Sequence, residues 1–563
     1  MYRSKLKIKK LPFDVGSLSN IEKWSENNCP YGSNWPVVYL IHNNQTKEAY
    51  IGETLNACKR AAQHLTNEER KRLSLIHIMT EDTFNKSVIL DLESFLIKYM
   101  SADNKYKLQN GNAGLVDFNY YKRDEYEKEF INIWDQLKEL GLVQSNISDI
   151  SQSDLFKYSP YKSLKNDQQN ILSQILYVLN GAAKFNSEET ILVEGGAGTG
   201  KTILAIFLIK LLEDAACYDE NIDIDDNCQK INSLLSLHKK WKIGFVVPMQ
   251  SIRKTIQKVF GSINGLSSSM VLSPNEVVKQ GPFDLLVVDE AHRLHQRKCL
   301  SQYATYDKNN KKLGLDSNAT ELDWIIKSSK NQLLFYDKDQ TVRPSDISVS
   351  NFSNTINQRN STKLKLTSQL RCLGGNDYIQ YVKNVLNVKE NLHRKSFENY
   401  DLKFYDDLDE MVDEINNLNE TKKLSCVVAG YAWEWKTKKH NLKPGFYDIE
   451  IGKGYIWNRT VSDWINSDRL PNEIGCIHTV QGYDLNYAGV IFGPEITYSK
   501  ESNQIKVIRQ NYKDYIGKQV GNDYELLKKY IINIYCTLMT RGIMGTYVYV
   551  CDKNLKEYLR TYF

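Results

Sequence analysis

The stretch ILVEGGAGTGKTILAIFLIKLL, residues 191–212, decides the fold. An apolar strand runs into a glycine-rich turn, and the turn opens an apolar helix. Gly195, Gly198 and Gly200 allow the backbone to fold so that several N–H groups close on phosphate oxygens. The N-terminus of the following helix adds its partial positive charge. Lys201 is then placed to reach the β- and γ-phosphates, and Thr202 to hold Mg²⁺. The pattern therefore predicts an ATP-binding site on a strand-turn-helix unit of an α/β domain.

A second segment supports this. Residues 283–290, FDLLVVDE, form an unbroken apolar run that ends in two acids. A strand buried on both faces reads this way, and ligands of α/β sheets bind at the C-terminal ends of strands. Asp289 suits the Mg²⁺ shell and Glu290 suits a base that orients the attacking water. Working outward, apolar segments KIGFVVP and QLLFYD alternate with helical ones, and a later series repeats the pattern with LSCVVAGY, IGCIHTV, YAGVIFG and GTYVYVCD. This predicts two tandem parallel-sheet domains, over residues 155–345 and 346–563. The acidic run 214–226 reads as a solvated insertion.

Further short segments fall in a fixed order: LKNDQ with Gln168, VVPMQSIRKTIQKVF with Ser251, Arg253 and Lys254, LLFYDKDQ with Gln340, LTSQLRC with Arg371, HTVQGYD over 478–484, and YCTLMTRG with Arg541. Together with DEAHR and GYAWEWK, the set resembles superfamily-one helicases, and most closely the Schlafen-like DNA/RNA helicase group, also called domain of unknown function 2075. The resemblance covers about residues 155–563 and implies RecA-like domains. It implies adenine reading by Gln168, γ-phosphate sensing by Gln340 and arginine fingers at Arg371 and Arg541. It also implies phosphate contacts from Ser251, Arg253 and Lys254. Trp433 and Trp435 lie among Lys436, Lys438 and Lys439. Such interleaving suits base stacking with backbone contact, and equally a tryptophan pair packed beneath a loop.

The chain has 563 residues and a net charge of +5, and residues 1–150 hold equal numbers of basic and acidic side chains. This allows nucleic-acid binding through local patches without demanding it. Ten cysteines are scattered with no CxxC pair, as in a reduced cytoplasmic protein. The longest apolar run, ILAIFLIKLL, is too short to span a membrane.

The N-terminal part opens with residues 37–64, VVYLIHNNQTKEAYIGETLNACKRAAQH. Two apolar runs flank a polar turn, and a basic helix follows. Arg60 and His64 share one helix face at i, i+4. In the next helix, Glu93 has Ile89, Leu90, Leu96 and Ile97 as its i±3 and i±4 neighbours. A carboxylate on an apolar stripe calls for a metal or a buried cationic partner. Tyr39, Tyr50-Ile51-Gly52, Arg60, His64, Glu93 and Asn110 together resemble the GIY-YIG nuclease family over about residues 36–115. The resemblance implies Tyr39 as base or relay, with Tyr50 positioning. It implies Arg60 on the pentavalent phosphate, Glu93 on Mg²⁺ and His64 assisting proton transfer. Two departures stand out: Val37 replaces the family's first glycine, and Glu53 follows Gly52. Residues 1–35 read as a lead-in, and 121–154 as a helix followed by a Ser/Asn/Asp-rich linker.

The expected architecture is α/β: a small α+β GIY-YIG domain over 36–120, followed by two RecA-like domains. The expected activity is that of an ATP-dependent motor fused to a metal-dependent endonuclease. Its expected partner is nucleic acid, DNA ahead of RNA, and such fusions suit prokaryotic anti-phage defence or repair. Protein partners encoded nearby are a further expectation. Two other readings remain open: a nucleotide-gated binding switch with an inactive nuclease fold, and an RNA-directed nuclease. Nothing in the sequence speaks to oligomeric state.

Overall fold

The computed structural model describes residues 6–27, 34–111, 119–216, 241–300, 302–437, 445–459, 464–467, 469–480 and 483–563. Most of the acidic run 214–226, Lys438, Lys439, Gln481, Gly482 and the side chain of Ser251 lie outside the described residues. The chain divides into two compact units. One holds residues 1–172 with 203–240 and 256–270, and the other holds 173–202, 241–255 and 271–563.

The first unit is built on five strands: β1 (Lys7–Pro12), β2 (Val37–Asn43), β3 (Glu48–Thr54), β4 (Leu75–Thr80) and β5 (Lys107–Leu108). Their order is β1-β4-β2-β3-β5. The polar turn of the opening stretch closes an antiparallel hairpin in which Tyr39 faces Gly52 and Ile41 faces Tyr50. Opposed residues share a face, so both tyrosines lie on one side of the sheet. They pack there with the helix Ala57–Leu65 through Ala57 and Ala61. A Cβ on Gly52 would strike the ring and hydroxyl of Tyr39. The glycine is therefore required by the tyrosine that crosses it.

Two expectations are corrected here. The lead-in 1–35 contains β1, which pairs antiparallel with β4 at the sheet edge. Its run KIKKLP carries three lysines and a proline, residues that suit an edge strand and obscure its alternation. The Ser/Asn/Asp-rich segment after Gly141 is not a free linker. Gln144 N and Ser145 N donate to the Asp103 carboxylate at 3.1 and 2.8 Å, and Trp134 Nε1 donates to Ser145 O at 3.0 Å. Its polar residues cap short helices, as Ser153 Oγ does by accepting Phe156 N at 3.2 Å.

The second unit contains two wholly parallel, RecA-like sheets. The first comprises β6 (Thr190–Gly195), β7 (Ile243–Val246), β8 (Val271–Leu272), β9 (Phe283–Val288), β10 (Ser329–Tyr336) and β11 (Ser361–Leu366), in the order β11-β6-β10-β9-β7-β8. β11 carries this sheet past the expected boundary at residue 345. The second comprises β12 (Asp401–Phe404), β13 (Ser425–Ala429), β14 (Ile456–Trp457), β15 (Glu473–Cys476), β16 (Leu485–Phe492) and, beyond a two-stranded ribbon, β19 (Gly542–Val550). Its order is β12-β19-β16-β13-β15-β14, and the ribbon pairs β17 (Ile496–Ser499) with β18 (Gln504–Val507). Near-continuous apolar strands explain the parallel pairing, since both faces are covered. Among the described residues, no helix is long and apolar enough to cross a membrane.

Candidate active sites

Parallel pairing puts the C-terminal ends of β6, β9, β10 and β11 on one edge of the first sheet. The phosphate loop, Asp289, Asp337 and Gln369 follow those ends directly. Gly198 and Gly200 adopt φ of +80° and +78°, left-handed values that favour glycine. A Cβ on Gly198 would also meet Gln369 Oε1 and the Arg371 Cβ. Lys201 Nζ lies 2.6 Å from Gly195 O, 2.8 Å from Gly196 O and 3.9 Å from Asp337 Oδ2. Thr202 Oγ1 donates to Asp289 Oδ2 at 2.6 Å.

Asp289 is buried, and burial with the neighbouring Glu290 charge pushes its carboxyl up to about 7. A carboxylate in that position is stabilised by a cation. Burial also pushes Glu290 up, but His292, Lys201, Arg541 and Arg293 outweigh it and hold the group below its usual value. His292 is fully buried, and burial lowers its pKa while the Glu290 charge opposes that shift. Its Nδ1 accepts the Asp337 N–H at 3.3 Å, which leaves the proton on Nε2, 3.2 Å from Glu290 Oε2. Glu290 itself has φ of 49°, a left-handed backbone that turns its carboxylate away from the strand direction.

A cavity of about 1000 Å³ opens beside the loop, with Gly195, Thr199, Asp337, Gln340, Gln369 and Lys383 in its walls. This is ample for a nucleotide. Gln340 is buried and donates through Nε2 to Asp337 Oδ2 at 2.7 Å. Arg371 pairs with Asp484, and Arg541 Nη1 donates to Tyr483 O at 3.2 Å. Both candidate fingers are thus anchored on adjacent residues of the HTVQGYD segment. Gln168 belongs to the first unit, where its Oε1 accepts Lys165 N at 3.1 Å.

The candidate polymer contacts fare unequally. Lys254 is exposed on the helix Gln250–Ser262. Arg253 turns its guanidinium onto Val247 O at 2.8 Å and Pro248 O at 3.3 Å. Trp433 and Trp435 are half-buried against the core of the second sheet, Trp433 edge-on to Trp457 at 5.9 Å. Lys436 is paired with Glu450 at 2.7 Å.

The second constellation lies in the first unit. Tyr39 Oη sits 2.7 Å from His64 Nε2 and accepts Arg60 Nε at 3.4 Å. His64 is 1% exposed, which rules out a solvated helix histidine. Burial first, then Arg70 and Arg60, hold its pKa down to about 2, so the ring is neutral. Arg70 Nη1 lies 3.0 Å from His64 Nδ1. A guanidinium can only donate, so Nδ1 accepts and the ring proton is on Nε2, facing Tyr39. Burial raises the Tyr39 pKa well above its ordinary value, Tyr50 and Glu93 adding to the rise and Arg60 opposing it. Arg70 also lies 4.0 Å over the Tyr50 ring.

Glu93 is half-buried on the helix Lys86–Asp103, like Leu90, while Ile89, Leu96 and Ile97 are buried. No group of three or more His, Cys, Asp or Glu side chains suited to a metal occurs among the described residues. A divalent cation at Glu93 would complete its shell with water and substrate oxygens, as Mg²⁺ commonly does. Asn110 accepts Ile51 N at 3.0 Å and donates to Ile51 O at 2.8 Å. Its amide is thus spent on holding the Tyr50-Ile51-Gly52 strand. Of the two departures, Val37 is a buried strand residue, and Glu53 is paired with Lys86 at 2.5 Å. Sequence reasoning missed Arg70, His292 and Gln369. His292 stands inside DEAHR and Gln369 inside LTSQLRC, so the motifs held the signal for both.

Comparison with known proteins agrees with both halves. The family model described as Schlafen group 3, DNA/RNA helicase domain, matches residues 188–552, and that of the GIY-YIG catalytic domain matches residues 36–107. The chain is also similar to a Saccharomyces cerevisiae protein described as "Uncharacterized protein YPL245W". The two share 23% identity over 440 residues, covering 70% of this chain and 90% of that protein.

Proposed function

Because this chain belongs to the Schlafen group 3 DNA/RNA helicase family and carries a GIY-YIG catalytic domain ahead of it, we propose that it is an ATP-driven motor on nucleic acid that cleaves the polymer it engages. The observation that carries this reading is the presence of two built sites in one chain. One is a phosphate loop with a buried carboxylate pair, and the other is a tyrosine held between a histidine and an arginine.

In the motor, Lys201 binds the β- and γ-phosphates once it leaves the Gly195 and Gly196 carbonyls. Thr202 and Asp289 would hold Mg²⁺, which supplies charge neutralisation at the phosphates. Glu290, kept ionised by its cationic surroundings, orients the attacking water and takes its proton. Gln340 senses the γ-phosphate. Arg371 and Arg541 stabilise the charge that builds on it. Their anchors, Tyr483 and Asp484, tie that stabilisation to the second sheet, which is how hydrolysis is converted into movement along a strand.

In the nuclease, Tyr39 Oη accepts one N–H from His64 and one from Arg60, so its own proton is left to donate to a third group. The same two donors stabilise the phenolate when that proton leaves, and Tyr39 then serves as base or relay for the attacking water. Arg60 neutralises the pentavalent phosphate, and Tyr50 and Asn110 fix the strand. Glu93 would hold Mg²⁺, which supplies neutralisation of the leaving oxygen.

We place DNA first as substrate, and removal of invading DNA or repair as the setting, because a motor that feeds a nuclease serves both. The test is cleavage of plasmid, linear duplex and single-stranded DNA, with RNA in parallel, with Mg²⁺ and with or without ATP. Mg²⁺-dependent cutting is expected, lost in Tyr50→Phe and Glu93→Ala. Cutting that survives in both variants removes the catalytic assignment. ATP hydrolysis with no cutting of any substrate favours a nucleotide-gated binding protein instead.

A further inference from the structure

The tryptophans expected to stack on a polymer are packed into the second sheet, but a nearby loop presents an aromatic side chain to solvent. It runs from β18 to the helix Tyr524–Met539. Tyr515 at its tip is 78% exposed. Arg509, Lys513 and Lys518 belong to the same loop, and both Arg509 and Lys513 act electrostatically on Lys518. A hollow of about 520 Å³ is lined by Ile508, Arg509, Gln510 and Lys518.

The loop is built rather than loose. Arg509 donates to Gly521 O at 2.5 Å and Lys518 O at 2.9 Å. Ile516 N and Gly517 N both donate to Asp514 Oδ1 at 3.1 Å. Asn511 Nδ2 donates to Pro494 O at 2.8 Å, and Lys513 N to Tyr431 O at 2.7 Å. These bonds engage the Arg509 guanidinium, the Asn511 amide, Asp514 and backbone groups, and the ammonium groups of Lys513 and Lys518 take no part in them. Lys513 Nζ lies 3.7 Å from the exposed Glu434. Lys518 has its pKa lowered by burial first, then by Lys513 and Arg509, so the three cations repel one another. An anion placed among them relieves that repulsion.

We propose that loop 508–518 docks a single-stranded nucleic acid, with Tyr515 stacking on one base and Arg509, Lys513 and Lys518 contacting the flanking phosphates. A cluster of cations and an exposed aromatic ring on one loop are what a single strand needs from a protein surface. The loop also has a route to the motor. Asp514 Oδ2 lies 3.0 Å from His478 Nε2 and 3.4 Å from Arg343 Nε. His478 opens the HTVQGYD segment, whose Tyr483 and Asp484 hold the two candidate fingers. Arg343 follows Gln340 by three residues. A strand on the loop therefore bears on the same segments that meet the nucleotide.

This inference rests on the nucleic-acid reading above, and one experiment separates the two. Fluorescence anisotropy of the full-length protein with labelled oligothymidylate and oligouridylate is measured over a salt series. Lys513→Gln/Lys518→Gln should weaken binding tenfold or more and reduce the log–log salt slope by roughly 1.4, for two phosphate contacts on a single strand. Tyr515→Ala should weaken binding by roughly 5- to 100-fold with the slope unchanged, and Tyr515→Phe should restore it. Polymer-free phosphate release should stay at the wild-type rate in all three. The arm bound more tightly identifies the polymer. Variants that bind like wild type overturn the loop site alone, and so does polyglutamate displacing the strand as well as an oligonucleotide does. A wild-type protein that binds neither strand at any salt overturns the nucleic-acid reading itself.

Discussion

The two active sites bury opposite chemical inventories. The nuclease site buries a phenol and an imidazole and sets arginines beside them. The motor sets a buried and a partly buried carboxylate side by side and gathers a lysine, arginines and a histidine around them. Neutral groups tolerate burial with hydrogen bonds alone, so Tyr39 and His64 can be almost sealed from solvent. Two carboxylates tolerate it only with cations, and burial with the Glu290 charge pushes Asp289 up to about 7. The motor is therefore built to depend on what it binds, whereas the nuclease cluster is held in place by its own hydrogen bonds.

The sharpest way to break this contrast is to remove the cation or the charge from the motor. Lys201→Ala should lower phosphate release by at least about a hundredfold, and Glu290→Gln by a similar factor. Neither change touches Tyr39 or its partners, so cleavage measured without ATP should persist. Hydrolysis at the wild-type rate in Lys201→Ala would remove the phosphate-loop assignment. Loss of ATP-free cleavage in either variant would show that the two sites are not separately built.

An intermediate effect is expected at Arg70, which holds both His64 Nδ1 and the Tyr50 ring. In Arg70→Gln one of the two cations that depress His64 is gone while burial and Arg60 remain, so the imidazole pKa should rise from about 2, and cleavage should fall roughly tenfold. Arg70→Lys keeps a charge and a donor, and should recover part of both. The His64 titration followed by NMR is the decisive readout, because a merely structural arginine would change activity without moving that pKa. An unchanged titration in Arg70→Gln would mean that burial and Arg60 are enough to keep the ring neutral.

The contrast also explains what could be read from the sequence. The motor's groups follow strand ends directly, so Lys201, Thr202, Asp289 and Glu290 were legible as contiguous runs. The contacts that join them were not, because Gln369 reaches Ala197 O at 2.7 Å across 172 residues. In the nuclease, the tyrosine spacing and the i, i+4 pair Arg60 and His64 identified the cluster. Arg70 stayed hidden in the short turn Arg70–Arg72, where ERKR reads as solvated charge. Strand β1 was masked by its edge lysines, and the segment after Gly141 by residues that cap helices as readily as they break chains. Glu93 is half-buried beside the buried Ile89, Leu96 and Ile97, a degree of exposure that the apolar spacing alone did not reveal.

The smallest expected effect tests burial of neutral groups away from either site. His42 and His77 lie on the sheet face opposite Tyr39, 1% and 4% exposed, with rings stacked at 5.1 Å. Burial lowers both to about 4. For His42, Lys10 and Lys105 add to the effect, and for His77, His42 and Lys10 do so. In the unfolded chain each titrates near 6.5. Between pH 6.5 and 4 the unfolded state binds more protons, so stability of this sheet is full above pH 6.5 and is lost as pH falls toward 4. The loss should be on the order of 1–3 kcal/mol per histidine, and less than additive because His42 is itself among the groups that depress His77. Amide exchange of β2 and β4, corrected for intrinsic rates and compared at pH 7 and pH 5, should show weaker protection at the lower pH. Strands β9 and β10 of the motor serve as the internal reference. His42→Asn/His77→Asn should flatten the response, since an amide does not titrate. Equal pH dependence in the double variant would place the acid sensitivity elsewhere, the buried carboxylates of the motor being the next groups to examine.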